Sequence, residues 1–148
     1  MKFLLTALIA LSITSTFSQN KTENLNHKKG IAIEGYDPVT YFTGKPQEGK
    51  DDITTSYNGV VYYFTSEENK EAFNNNPDKY EPAYGGWCAY AMGETGEKVK
   101  VDPETFKIID DKIYLFYNFW GTNTLEPWNK NEQSLKTKAD KNWKQITQ

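Results

Sequence analysis

Cys88 and Met92 are the residues best suited to chemistry in this chain. They lie in "YGGWCAYAMGETG", residues 84–96, and Cys88 is the single cysteine. A short buried helix over "WCAYAM" would set the two sulfurs at i and i+4, on one face. A thiolate with a thioether suits Cu(I), and a tyrosine, a water or a partner's sulfur would complete the shell. Two other roles fit the same cysteine. It can pack as a small hydrophobe, since free cysteine is among the most buried residue types. It can also act as a thiol nucleophile, although no cation stands beside it in sequence. Exposure separates the three. A sealed Cys88 points to packing, an exposed one beside Met92 to metal, and an exposed one beside lysine to thiol chemistry.

A second group is aromatic. Tyr36, Asp37, Tyr84 and Trp87, with Tyr41 and Tyr90, could wall a small-ligand pocket, because such pockets combine aromatic sides with a few polar groups. The same rings could instead form the core of a domain that has no disulfide. All ten tyrosines fall between Tyr36 and Tyr117, and rings of this size bury large areas.

Other chemistries have no residues to carry them. The only histidine, His27, sits in the polar stretch "NKTENLNHKK", so the folded part offers no Ser-His or Cys-His pair. His27 reads as a solvated residue rather than a ligand. Zinc would need more cysteines and histidines than the chain owns. No glycine-rich phosphate loop occurs, and Gly85-Gly86 reads as a point of close backbone approach. All 17 basic residues are lysine, against 20 acidic residues. Without arginine there is no bidentate anion clamp, and no basic stripe for nucleic acid is visible. The pairs Asp51-Asp52 and Asp110-Asp111 read as solvated turn charges.

These groups must be positioned by one domain. Residues 1–18, with Lys2 ahead of an apolar run from Phe3 to Ile13, read as a signal peptide. The expected product is an exported protein, periplasmic or secreted, with no membrane span after cleavage. Residues 19–30 read as a flexible leader and 31–148 as a single domain. Asp37-Pro38 predicts a short helical turn. Asn58-Gly59, between two β-rich runs, predicts a type I′ hairpin. Ser66 caps a helix that stops before Pro77. Residues 94–106 read as a polar loop with a short strand at 98–101. A second hairpin turns at Asp110-Asp111-Lys112. From Thr124, Leu125, Trp128, Leu135, Ala139, Trp143 and Ile146 mark one face of an amphipathic C-terminal helix. The fold class is α+β: a small antiparallel sheet built from two hairpins, with short helices and the C-terminal helix packed on it.

In order, "GYDPVTYF", "YNGVVYYFTSEENKEAFNNNPDKYEPAYGGWCAYAM", "DPETFKIIDDKIYLFYN" and "ADKNWKQI" resemble the YHS domain proteins, of the stand-alone exported kind. The likeness runs from about Gly35 to about Trp143, without the Tyr-His-Ser triplet of the name. The resemblance implies a small α+β unit, often linked to metal-handling proteins such as copper-transporting ATPases. It also implies a metal motif, F-C-S-x-x-C. The matching residues are Phe64-Thr65-Ser66-Glu67-Glu68-Asn69, so both sulfur positions carry other residues. The reading that results is a binding or accessory module rather than an enzyme. Soft-metal (copper) or small-ligand binding leads it. A metal-free interaction module with a Tyr-rich surface near Tyr36 and Tyr84 is the alternative, and a thiol-dependent enzyme is a third option.

Overall fold

The computed structural model describes residues 21–148; the expected signal peptide lies outside them. The expected leader is instead built into the fold from Lys21. A 3₁₀ turn at Lys21–Asn24 leads to β1 (His27–Lys28) and β2 (Ile31–Ala32), an antiparallel pair. Leu25 is buried in the core. Asn26 N donates to Gly85 O at 2.8 Å, Asn26 Nδ2 to Gly86 O at 2.9 Å, and Trp87 Nε1 to Asn24 O at 2.8 Å. These partners lie about sixty residues away in sequence, so local polarity gave no sign of them. The contact is close enough to need glycine: a Cβ on Gly85 would lie 2.8 Å from Asn24 O.

β3 (Lys50–Tyr57) and β4 (Val60–Phe64) form the first hairpin. Asn58 and Gly59 have φ of 50° and 85°, the left-handed pair that a type I′ turn requires. β2 joins β4 in parallel through Ile31 and Val61, giving the sheet order β1-β2-β4-β3. Ser66 caps α1 (Glu67–Asn75), its Oγ accepting from Asn69 N at 3.2 Å, and Pro77 opens α2 (Pro77–Tyr80). Next come α3 (Ala89–Glu94) and the second hairpin, β5 (Asp102–Ile109) with β6 (Lys112–Phe116), turning at Asp110 and Asp111. Both aspartates are exposed, as are Asp51 and Asp52.

The fold is α+β, but the two hairpins stand in separate sheets rather than one. β6 explains why. Ile113 and Leu115 face a core with Val60, Tyr62, Phe64, Phe73 and Cys88, while Tyr114 and Phe116 face a second core with Met92, Trp128, Leu135 and Ala139. Alternate side chains of a strand point to opposite faces, so β6 is the wall between two apolar layers. The expected strand at 98–101 does not form; there Val99 O accepts from Cys88 N at 2.9 Å. After the small hairpin of β7 (Asn118–Phe119) and β8 (Thr122–Asn123), the C-terminal helix is broken in two. α4 (Leu125–Lys130) and α5 (Glu132–Thr147) are separated by Asn131 at φ −144°. The break lets Trp128 enter the core while α5 runs along α3, close enough that a Cβ on Gly93 would lie 2.7 Å from Leu135 O.

Candidate functional site

Cys88 is the N-cap of α3 rather than part of its first turn, and Met92 N donates to Cys88 O at 3.0 Å. Both side chains are fully buried, and they belong to different cores. The expected metal pair is therefore sealed and divided. Thr124 Oγ1 donates its one hydrogen to Tyr117 O at 2.9 Å. The 3.5 Å contact between Cys88 Sγ and Thr124 Oγ1 must then use the thiol proton. Tyr117 N closes the ring by donating to Cys88 Sγ at 3.4 Å. Cys88, Thr124 and Tyr117 thus close a cycle of three hydrogen bonds around the buried sulfur. We expect a thiol reagent to leave Cys88 unmodified in the native protein and to label it fully in denaturant. Native labelling at the rate of a free peptide thiol would contradict the sealed geometry.

The expected pocket of Tyr36, Asp37, Tyr84 and Trp87 is also divided. The Trp87 ring is spent on the N-terminal segment. Tyr84 adopts φ 54° and donates to Asp140 Oδ1 at 2.8 Å; burial, then this bond, pushes its hydroxyl well above the ordinary tyrosine range. It lines a small hollow of about 280 Å³ with Lys112, Tyr114 and Trp143. Tyr36 pairs with Glu48 across an isolated bridge, and burial followed by the charges of Glu104 and Glu48 raises its hydroxyl. Asp37 is fully buried. His27 is exposed, and its Nδ1 accepts from Gly30 N at 3.1 Å to close the β1–β2 turn.

Asp37 has a different task. Its Oδ1 accepts from Val39 N at 2.9 Å, the cap expected of an Asp-Pro start. Its Oδ2 accepts from Thr65 N, Thr65 Oγ1 and Asn69 Nδ2, each at 2.8 Å. The carboxylate thus ties the turn after Tyr36 to the start of α1.

A separate cleft has a volume of about 660 Å³. Four separate segments wall it: Thr22 and Leu25, Tyr57 and Asn58, Asp78 and Glu81, and Trp143 on α5. Tyr57 Oη donates to Asp78 Oδ1 at 2.7 Å, and Asn58 Nδ2 donates to Glu81 Oε2 at 2.8 Å. The bond to Asp78, followed by burial, raises the Tyr57 hydroxyl above its usual range. No hydrogen bond from a described residue reaches the second oxygen of either carboxylate. No sequence spacing announces this cleft, because its walls meet only through tertiary packing.

The metal that the resemblance implies does not fit the residues present. Thr65 and Asn69, at the two sulfur positions, offer hard oxygen and nitrogen atoms already committed to Asp37. Among the described residues no group of three or more His, Cys, Asp or Glu is arranged to hold an ion. No curated protein and no solved structure matches the chain. Residues 40–84 match the family model of the YHS domain, running from the turn after Val39 through the first hairpin, α1 and α2 to Tyr84.

Proposed function

We propose that this protein is an exported, metal-free binding module that takes a small ligand in the cleft between Leu25, Tyr57, Glu81 and Trp143. The observation that carries this reading is the cleft itself. Its volume of about 660 Å³ lies within the range of small-molecule sites, roughly 300–1,000 Å³, and it joins aromatic walls to a few fixed polar groups. The open oxygens of Asp78 and Glu81 favour ligands that present N–H or O–H donors. Copper has no place in this reading, because the sulfurs are sealed and the family's sulfur positions carry threonine and asparagine. Nor does catalysis: the Tyr57 hydroxyl beside Asp78 is made less acidic, not activated, by its surroundings. Export rests on the apolar run from Phe3 to Ile13.

The test is a panel of amines, alcohols and carboxylic acids added to isotope-labelled protein, with amide shifts followed by NMR. Saturable shifts confined to residues around Thr22, Asn58, Glu81 and Trp143 are the expected result. A panel that moves no cleft residue, or moves only residues elsewhere, would sink the proposal.

One observation favours a second reading, an interaction module. Trp120 is 86 % exposed at the β7–β8 turn, and it holds φ 51°, a backbone region that a bulky residue rarely adopts. Lys100 Nζ lies 4.6 Å from the Phe119 ring and 4.8 Å from the Trp120 ring. An aromatic knuckle with a cation is the composition of an interface anchor.

A further inference from the structure

The cleft and the small hollow share walls. Glu81 and Trp143 line both the space of about 660 Å³ and the one of about 280 Å³. Two opposite charges border the smaller space, Glu81 and Lys112, and both residues are half-buried. Burial makes the Lys112 ammonium easier to deprotonate than usual, and the charges of Glu81 and Asp78 act against that. Yet among the described residues no ion pair joins Lys112 to either carboxylate.

Each of the two groups keeps bonding capacity. Lys112 Nζ gives one hydrogen to Asp78 O, and an ammonium carries three. Glu81 Oε2 takes the Asn58 amide, and no hydrogen bond from a described residue reaches Oε1. Asp140, on the same rim, differs: Tyr84 and Lys136 engage its two oxygens. In the larger cleft Lys21 and Asp78 offset one another, so that compartment selects for no net charge, and its apolar wall is Leu25, Tyr57 and Trp143.

We infer that the two hollows are one bipartite site for a free α-amino acid with a large apolar side chain. The ammonium pairs with Glu81 and the carboxylate with Lys112, both as charge-assisted hydrogen bonds. The side chain passes over Trp143 into the larger cleft. A half-buried charge has lost part of its hydration, so it gains from a partner of opposite sign. An α-amino acid carries its two charges a few atoms apart, which suits two protein charges that do not reach each other. The inference rests on the small-ligand reading and adds the ligand's class and its second compartment.

The experiment titrates the isotope-labelled protein with phenylalanine and leucine, and with the N-acetyl and carboxamide derivative of each. The free amino acids are expected to give saturable amide shifts at Asn58 and Trp143 together with Lys112 and Tyr114. Acetylation removes the ammonium and amidation removes the carboxylate. Each is expected to weaken binding about tenfold or more, the worth of one charged hydrogen bond. Glu81→Gln is expected to weaken the free amino acid while leaving the N-acetyl derivative unchanged. Lys112→Met is expected to do the same toward the carboxamide. Derivatives that bind as tightly as the free amino acid, or shifts that stop at the larger cleft, would overturn the inference and leave the small-ligand reading standing. So would silent amino acids beside an amine or alcohol that moves cleft residues. Silence from every compound would remove both. Should either variant fail to fold, the derivatives on the unmodified protein still decide.

Discussion

Replacing Asp37 with leucine is expected to remove about 3–5 kcal/mol of stability, which urea unfolding would register. Leucine has aspartate's branched skeleton, with bulkier methyls in place of the oxygens, and is apolar, so burial alone would predict a gain. The loss comes from the donors left behind. Val39 N, Thr65 N, Thr65 Oγ1 and Asn69 Nδ2 all point at this carboxylate. A hydrogen bond to a charged group contributes about 1.5–3 kcal/mol, and four that share one partner do not add independently. Asp37→Asn should fall between the two, since it keeps the shape but turns one acceptor into a donor aimed at donors. A leucine variant within about 1 kcal/mol of the parent would mean that the donors, on half-buried residues, find water instead.

Ending the chain after Lys138 should cost at least as much and broaden the thermal transition. The deletion removes Ala139 from the second core, along with Trp143 and Ile146, which pack against it. It also removes two ties. Tyr84 loses Asp140 as its acceptor, and Met92 O loses the Asn142 Nδ2 donor at 2.8 Å. Removing a tryptophan from a core alone is worth about 3–5 kcal/mol. The N-terminal segment should loosen at the same time, because Trp143 closes over Gly85 and helps wall the cleft beside Leu25. Circular dichroism melting of the shortened chain checks this, and a melting curve superimposable on the parent's would show α5 to be an appendage.

Local elements were legible wherever a short stretch carries its own conformational reason. Asn58-Gly59 supplies two residues that tolerate positive φ, so its hairpin needs no distant partner. Ser66 satisfies an amide three residues on, so α1 announces its own start. Leu135, Ala139 and Trp143 mark the packed face of α5 by their spacing.

The rest was decided by packing. Asn24 and Asn26 read as a solvated leader until their partners at Gly85, Gly86 and Trp87 are in place. Asp37 reads as a turn cap, and its cap bond does form. Its larger role depends on Thr65 and Asn69, 28 and 32 residues away. The spacing of Cys88 and Met92 suggested one metal face, and yet β6 and the N-cap position of Cys88 assign them to different cores. Spacing fixes which side chains can share an element. Which face of that element meets water is set by what the remaining chain lays over it, and here two apolar layers divided by one strand sealed the sulfurs and left the cleft at Trp143 open.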